Sequence, residues 1–198
     1  MIDFKFIQSL EGKHILNGYV PQREGKAIGN SGVTISSGVD LGQLGVRDLI
    51  RLFAAAGLKE EDVLLRKLSF YCNLKQDAAI DYLVKNPLEI TEVEAKILDN
   101  LFYENVVRWL SAKWYNFSMI HFHLLPGRVQ TILFSLAWNL GDIFTKLPTT
   151  MEYAKRSAIF SDWAILHNAL DKFPSKQKEL EIRRKKEANY LLPLVNPG

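Results

Sequence analysis

The chain has a single cysteine among its 198 residues. That excludes an internal disulfide and a zinc site built from thiolates. Cys72 lies in "LSFYCNL", among apolar neighbours, and reads as a small core residue. No run of 18 apolar residues occurs, so no membrane-crossing helix is expected. An excess of one charge sign is also missing. Lys and Arg number 25 against 22 Asp and Glu, a net +3. A nucleic-acid binder would be more basic, although +3 suits weak attraction to an anionic polymer. The opening "MIDFKFIQSLEG" has no basic stretch followed by an apolar one, so no signal peptide is expected. Internal repeats, low-complexity tracts and flexible linkers are absent. The histidines are His14, His121, His123 and His167. "HFH" at 121–123 has no third ligand at a useful spacing, so neither a metal nor a cofactor is expected.

What is present is apolar residue in quantity, 47% of the chain, enough for a sizeable core in one domain. Residues 3–11 read as a short helix with Phe4, Ile7 and Leu10 on one face, Asp3 as N-cap and Gly12 as the stop. From Lys13 to Leu44 glycines recur at 18, 25, 29, 32, 38 and 42, with Pro21 among them. This is the pattern of short strands and turns, a small antiparallel sheet.

From Val46 the pattern is helical. "RDLIRLFAAAG" closes on Gly57, and "KEEDVLLRKLSFY" and "KQDAAIDYLVKN" follow. The longest periodic segment starts at a Thr91-to-Glu94 capping box. Pro126 opens the very apolar "PGRVQTILFSLAWNLGD", which stops at Gly141 and should be buried. Thr149 to Glu152 offers a second capping box. Further on come "SDWAILHNALDKF" and "KQKELEIRRKKEANYLL", with Pro193 as the expected stop. The fold class predicted is α+β, mostly α: a small β-rich lobe over about 13–45 and a helical lobe over about 46–198 that includes the N-terminal helix. A cleft between unequal lobes is the natural ligand site.

Two stretches carry chemistry. "QSLEGK" puts Glu11 at the end of the first helix, where the macrodipole disfavours an anion by a few tenths to about 1 kcal/mol. "SGVTISSGVDLGQ" puts Asp40 between Gly38 and Gly42, on backbone that can turn sharply. Thr34 alternates with Val33 and Ile35, so if those two face the core it faces the other way. Taken singly, each has an ordinary reading: a solvent-facing Glu at a helix end, an Asp stabilising a turn, a β-branched strand residue. Together they supply what glycosidic hydrolysis needs, an acid and a base in unlike surroundings with a hydroxyl to hold water.

The combination resembles the phage-type lysozymes, and most closely the muramidase domain of pesticin-like bacterial toxins. "SLEGKHILNGYVP" is similar to that family's opening, and "SGVTISSGVDLGQ" to its hairpin, with threonine and aspartate six apart. Thr34 stands 23 residues after Glu11, which also fits. "NPLEITEVEAKIL", "LPGRVQTILFSLAWNLGD" and the closing "RRKKEANYLL" agree, so the likeness runs along nearly the whole chain. One departure is Ser36, where the family hairpin usually has glycine.

The resemblance implies a lysozyme-like two-lobe fold and hydrolysis of the β-1,4 bond between N-acetylmuramic acid and N-acetylglucosamine in peptidoglycan. It implies Glu11 as acid, Asp40 as base and Thr34 as the hydroxyl that positions water; a hydroxyl placed to hold a water beside the base predicts inversion at the anomeric carbon. It also implies a basic residue near the catalytic glutamate, Arg183 or Arg184. Tyr19, Gln130 and Asn139 are candidates to line the substrate site. The expected partners are peptidoglycan glycan strands and a cognate immunity protein that occludes the cleft. No nucleic acid, no stable membrane insertion and a monomer are expected. The chain would be made in the bacterial cytoplasm and act on the cell wall after delivery by a secretion system, such as type VI, or by phage lysis machinery. The alternatives are a phage endolysin of the same chemistry, a chitin- or chitosan-cleaving glycosidase, and a non-catalytic glycan-binding module.

Overall fold

The computed structural model describes residues 1–59, 62–175 and 177–195. Helix α1 (Phe4–Glu11) begins as its sequence dictates, with Phe6 N donating to Asp3 Oδ1 at 3.1 Å. It ends where Gly12 takes φ +85°. Five short strands follow: β1 (Ile15–Tyr19), β2 (Gln22–Arg23), β3 (Lys26–Ala27), β4 (Thr34–Ser36) and β5 (Val39–Asp40). β1, β4 and β5 form an antiparallel sheet in that order, and β2 pairs with β3. A 3₁₀ turn, Leu41–Gln43, leads to α2 (Val46–Ala55), α3 (Val63–Ser69), α4 (Gln76–Lys85) and the long α5 (Glu92–Ser118). Then come α6 (Gly127–Leu140), α7 (Ile143–Lys146), α8 (Pro148–Phe160), α9 (Ala164–Asp171) and α10 (Lys178–Val195). This is the lysozyme-like α+β fold, mostly α.

The chain divides into two compact units, Glu11–Asn105 and Met1–Leu10 with the residues from Val106 onward. In this division α2, α3, α4 and the first half of α5 group with the sheet, whereas the sequence pattern changes character near residue 45. The physical reason is that a few short strands cannot bury a core by themselves. Val33, Ile35, Val39 and Leu41 from the sheet region are covered, and so are Leu49, Phe53, Leu68 and Leu98 from the helices of the same unit. The segment before α5 also runs beside β1, with Gly18 N donating to Leu88 O at 2.8 Å and Ile90 N to Leu16 O at 2.9 Å. In the other unit every residue of α6 from Val129 to Ala137 is buried, as its composition required.

The Thr91 capping box forms: Thr91 N donates to Glu94 Oε2 at 2.7 Å and Glu94 N to Thr91 Oγ1 at 3.2 Å. The expected box at Thr149 does not. α8 starts at Pro148, whose fixed φ suits the first helical position, so Thr149 already lies inside the helix. Pro193 is likewise inside α10 and does not end it. A proline at 193 removes the N–H that would meet the Asn189 carbonyl four residues before it, a loss confined to the last turn of the described helix. The start expected for α3 includes Glu60 and Glu61, and that of α10 Lys176; these lie outside the described residues. Cys72 is buried, and burial pushes its thiol up to about 11.

Candidate active site

Asp40 closes β5 and caps the following 3₁₀ turn. Its Oδ1 accepts from Gly42 N at 2.9 Å and Gly32 N at 3.1 Å, and its Oδ2 from Gln43 Nε2 at 3.1 Å. Gln43 is itself held by Asn30 O at 2.7 Å. The two amides reach the carboxylate because Gly32 and Gly42 have no side chains. A Cβ on Gly32 would lie 2.3 Å from Leu74 O, and one on Gly42 would lie 2.4 Å from the same oxygen.

Thr34 stands opposite Asp40 across the β4–β5 ladder and opposite Tyr19 across β1–β4. The alternation puts Thr34 on the face opposite Val33 and Ile35. All three are covered: Thr34 is 5% exposed, and Val33 and Ile35 not at all. The Thr34 hydroxyl donates to Gly32 O over a long 3.3 Å, leaving its own lone pairs to accept. Tyr19 is half-exposed. Burial and then the negative charge of Asp40 push its phenol above the ordinary range, so it stays neutral beside the carboxylate.

Glu11 is the last residue of α1, and the chain turns at Gly12 into β1. Its charge is felt by Tyr103 of α5. That phenol is pushed well up, by burial first, then by the charge of Asp99, and to a lesser degree by that of Glu11. Glu11, Tyr19, Thr34 and Asp40 thus belong to one compact unit.

Gln130 and Asn139 belong to the other unit. The Gln130 amide donates to Leu125 O at 2.7 Å, holding the turn before α6. Asn139 accepts from Arg184 Nη2 at 3.0 Å and lines a cavity of about 330 Å³ with Leu10, Leu180, Ile182 and Arg183. Arg184 is fully buried and pairs with the equally buried Glu187 at 2.9 Å, while Arg183 reaches Glu187 at 3.3 Å. A cavity of about 700 Å³ between α8 and α9 contains none of the candidate residues.

Sequence reasoning missed a buried polar cluster beneath the hairpin. Asp99 of α5 is 1% exposed. It accepts from Ser36 Oγ at 2.7 Å and Ser37 Oγ at 2.6 Å, and His14 Nε2 lies 3.1 Å from it. The signal was available. Ala95, Asp99 and Tyr103 are spaced four apart, so the carboxylate shares one helix stripe with an alanine and a tyrosine, both buried in the fold.

The family described as "Pesticin: Bacterial toxin homologue of phage lysozyme, C-term" matches residues 1–158. The chain belongs to the pesticin family. Pesticin-family membership brings with it glycoside-hydrolase activity of the muramidase kind. The pesticin match takes in Glu11, Thr34 and Asp40 and stops within α8, so α9 and α10 lie beyond it and "RRKKEANYLL" is not covered. No curated protein matches the chain.

At the position of the expected hairpin glycine, Ser36 adopts φ +55°. That is the left-handed conformation glycine takes without cost. The serine compensates through its single hydroxyl proton, which goes to Asp99 Oδ1 at 2.7 Å with Ala95 O as the alternative acceptor at 3.1 Å.

Among the described residues no helix is long and apolar enough to cross a membrane, and no group of three or more His, Cys, Asp and Glu is arranged to hold a metal.

Proposed function

We propose that the chain cleaves the β-1,4 bond between N-acetylmuramic acid and N-acetylglucosamine in peptidoglycan, with inversion at the anomeric carbon. Glu11 donates a proton to the leaving oxygen. Asp40 removes a proton from a water that attacks the opposite face of the sugar, and Thr34 holds that water. The observation that carries the reading is the cross-strand pair of Thr34 and Asp40. A hydroxyl with accepting capacity stands beside a carboxylate fixed by two backbone amides and a side-chain amide. A carboxylate held this rigidly can orient a water, and a general base needs that positioning before any adjustment of basicity. Tyr19, neutral and half-exposed next to Asp40, offers a ring face to a pyranose.

The family description names toxins, which favours an antibacterial toxin delivered to the wall of a rival cell over a phage endolysin. An immunity protein in the producing cell would then cover Tyr19, Thr34 and Asp40. The test is mass spectrometry of digested peptidoglycan, with chitin as the second substrate. Products ending in a reducing N-acetylmuramic acid are expected. Chitin fragments alone, or binding without cleavage, would overturn the reading.

A further inference from the structure

We infer that Asp99 is a positioning residue for the hydrolysis, acting through Ser37, Ser36 and His14 to hold the Thr34–Asp40 hairpin and the segment after Glu11 in register. This rests on the roles proposed above for Glu11, Thr34 and Asp40.

A carboxylate with 1% exposure is costly unless its oxygens are fully engaged. Asp99 is engaged from two directions. One is the turn joining β4 to β5. Ser36 Oγ donates to Oδ1 at 2.7 Å, Ser37 Oγ to Oδ2 at 2.6 Å, and Ser37 N to Oδ1 at 3.3 Å. These serines lie between Thr34 and Asp40 in the chain. The other is His14, three residues after Glu11, whose Nε2 is 3.1 Å from Oδ2 and whose Nδ1 is 2.9 Å from Glu92 Oε2. One carboxylate therefore ties both segments that carry the proposed acid and base to the same stretch of α5.

The network reaches further. Tyr103 follows Asp99 by four residues on α5, so both side chains share one face of the helix. It is 3% exposed, and its phenol lies in the fields of both Asp99 and Glu11, with the Ser37 hydroxyl alongside. The cluster thus extends from the hairpin turn to the surroundings of Glu11 without leaving the unit.

Stability alone does not call for this arrangement. Replacing buried ionic groups with apolar side chains of similar volume is often neutral or stabilising. A leucine at 99 would fill the space, but it would not fix two serine hydroxyls and an imidazole in direction. Ser36 would then hold its left-handed conformation with only the Ala95 carbonyl as anchor. Directional anchoring is what an acid and a base on separate segments require, because a displacement of about 1 Å can cost 10²-fold in rate.

The experiment uses the full chain with soluble N-acetylglucosamine–N-acetylmuramic acid oligomers, measuring kcat, KM and Tm for Ser37→Ala, Ser37→Thr and Asp99→Asn. Ser37→Ala should lower kcat about tenfold with KM within about twofold and the protein still fully folded at the assay temperature. Ser37→Thr, which keeps the hydroxyl, should recover most of the loss. Asp99→Asn should lower kcat more than Ser37→Ala. If Asp99→Asn does not fold, the serine pair still decides. Unchanged kcat in Ser37→Ala, a change in KM only, or a loss that tracks the unfolded fraction overturns the inference and leaves the catalytic reading standing. Failure of the wild-type chain to cut the oligomers overturns both.

Discussion

Gly32 and Gly42 meet back to back beside the carboxylate of Asp40. A Cβ built on Gly32 would lie 2.5 Å from Gly42 Cα, and one on Gly42 would lie 2.7 Å from Gly32 Cα. Both amides donate to Asp40, so the close approach and the hydrogen bonds are one arrangement. Gly42→Ala is expected to cost about 1–3 kcal/mol, the usual range for overpacking, because the obstacles are backbone atoms that cannot rotate away. Urea unfolding measures the cost. Activity should fall by more than the folded fraction does, since the Asp40 amides move with the backbone. A variant as stable and as active as wild type would show that the contact relaxes freely.

Glu11→Gln is expected to fold normally and to lose at least about 10²- to 10⁴-fold in turnover, the usual worth of general acid catalysis. Glutamine keeps the shape of glutamate but cannot donate a carboxyl proton. Circular dichroism and release of reducing ends from purified cell wall are the two measurements. Near wild-type digestion by a folded variant would remove Glu11 from the acid role.

Thr34 separates inversion from retention. Inverting enzymes keep their carboxyl groups roughly 6.5–9.5 Å apart to admit a water, whereas retaining enzymes keep them about 5–5.5 Å apart. If Thr34 holds that water, Thr34→Ser should keep more activity than Thr34→Val, because serine retains the oxygen and valine only the outline. NMR of the first product, before mutarotation, should show the α-anomer. The β-anomer first would make Asp40 a nucleophile or stabiliser.

Acid sensitivity should come in part from Asp3. The Phe6 amide and the Tyr190 hydroxyl, 3.1 and 2.9 Å from its oxygens, hold its carboxyl below the ordinary 3.8. A carboxyl whose folded value is depressed adds stability above its unfolded value and loses it as pH falls through the folded one. The loss should therefore begin near pH 4 and grow below it. Asp3→Asn should flatten the stability curve in that window and leave a cost at neutral pH. Denaturant midpoints between pH 2.5 and 7 measure both. An unchanged slope would mean that Asp3 is held equally in the unfolded chain.

The local features of the fold were legible wherever a residue acts on its own neighbours. Asp3 caps α1, Thr91 and Glu94 close their box, and Gly12 and Gly141 turn the chain with positive φ. Readings failed where a neighbour offered a better local solution. Pro148 claimed the first position of α8 ahead of the Thr149 box, and Pro193 was absorbed by the end of α10. The candidate site was legible through Glu11, Thr34 and Asp40, because glycine spacing and a helix end mark them in one dimension. The stripe of Ala95, Asp99 and Tyr103 hinted at a buried Asp99, but its pairing with His14, 85 positions away, has no short-range pattern. Only the folded unit brings them to 3.1 Å. The burial of Thr34 was not legible for a related reason. Alternation along a strand predicts which way a side chain points, but not whether something beyond covers it.

Cys72 gives the molecule a built-in clock. Its sulfur is covered, bonded weakly to Leu68 O at 3.9 Å, and its thiol is shifted so far up that little thiolate exists at neutral pH. A colourless disulfide reagent added to the native protein must therefore wait for the surrounding shell of α3 and its neighbours to open. The waiting time reports that opening in a chain that needs no label, and the release of colour counts one event per molecule. Because Cys72 shares its unit with Glu11, Thr34 and Asp40, the same trace would register a glycan that binds there and slows the breathing of the fold around it.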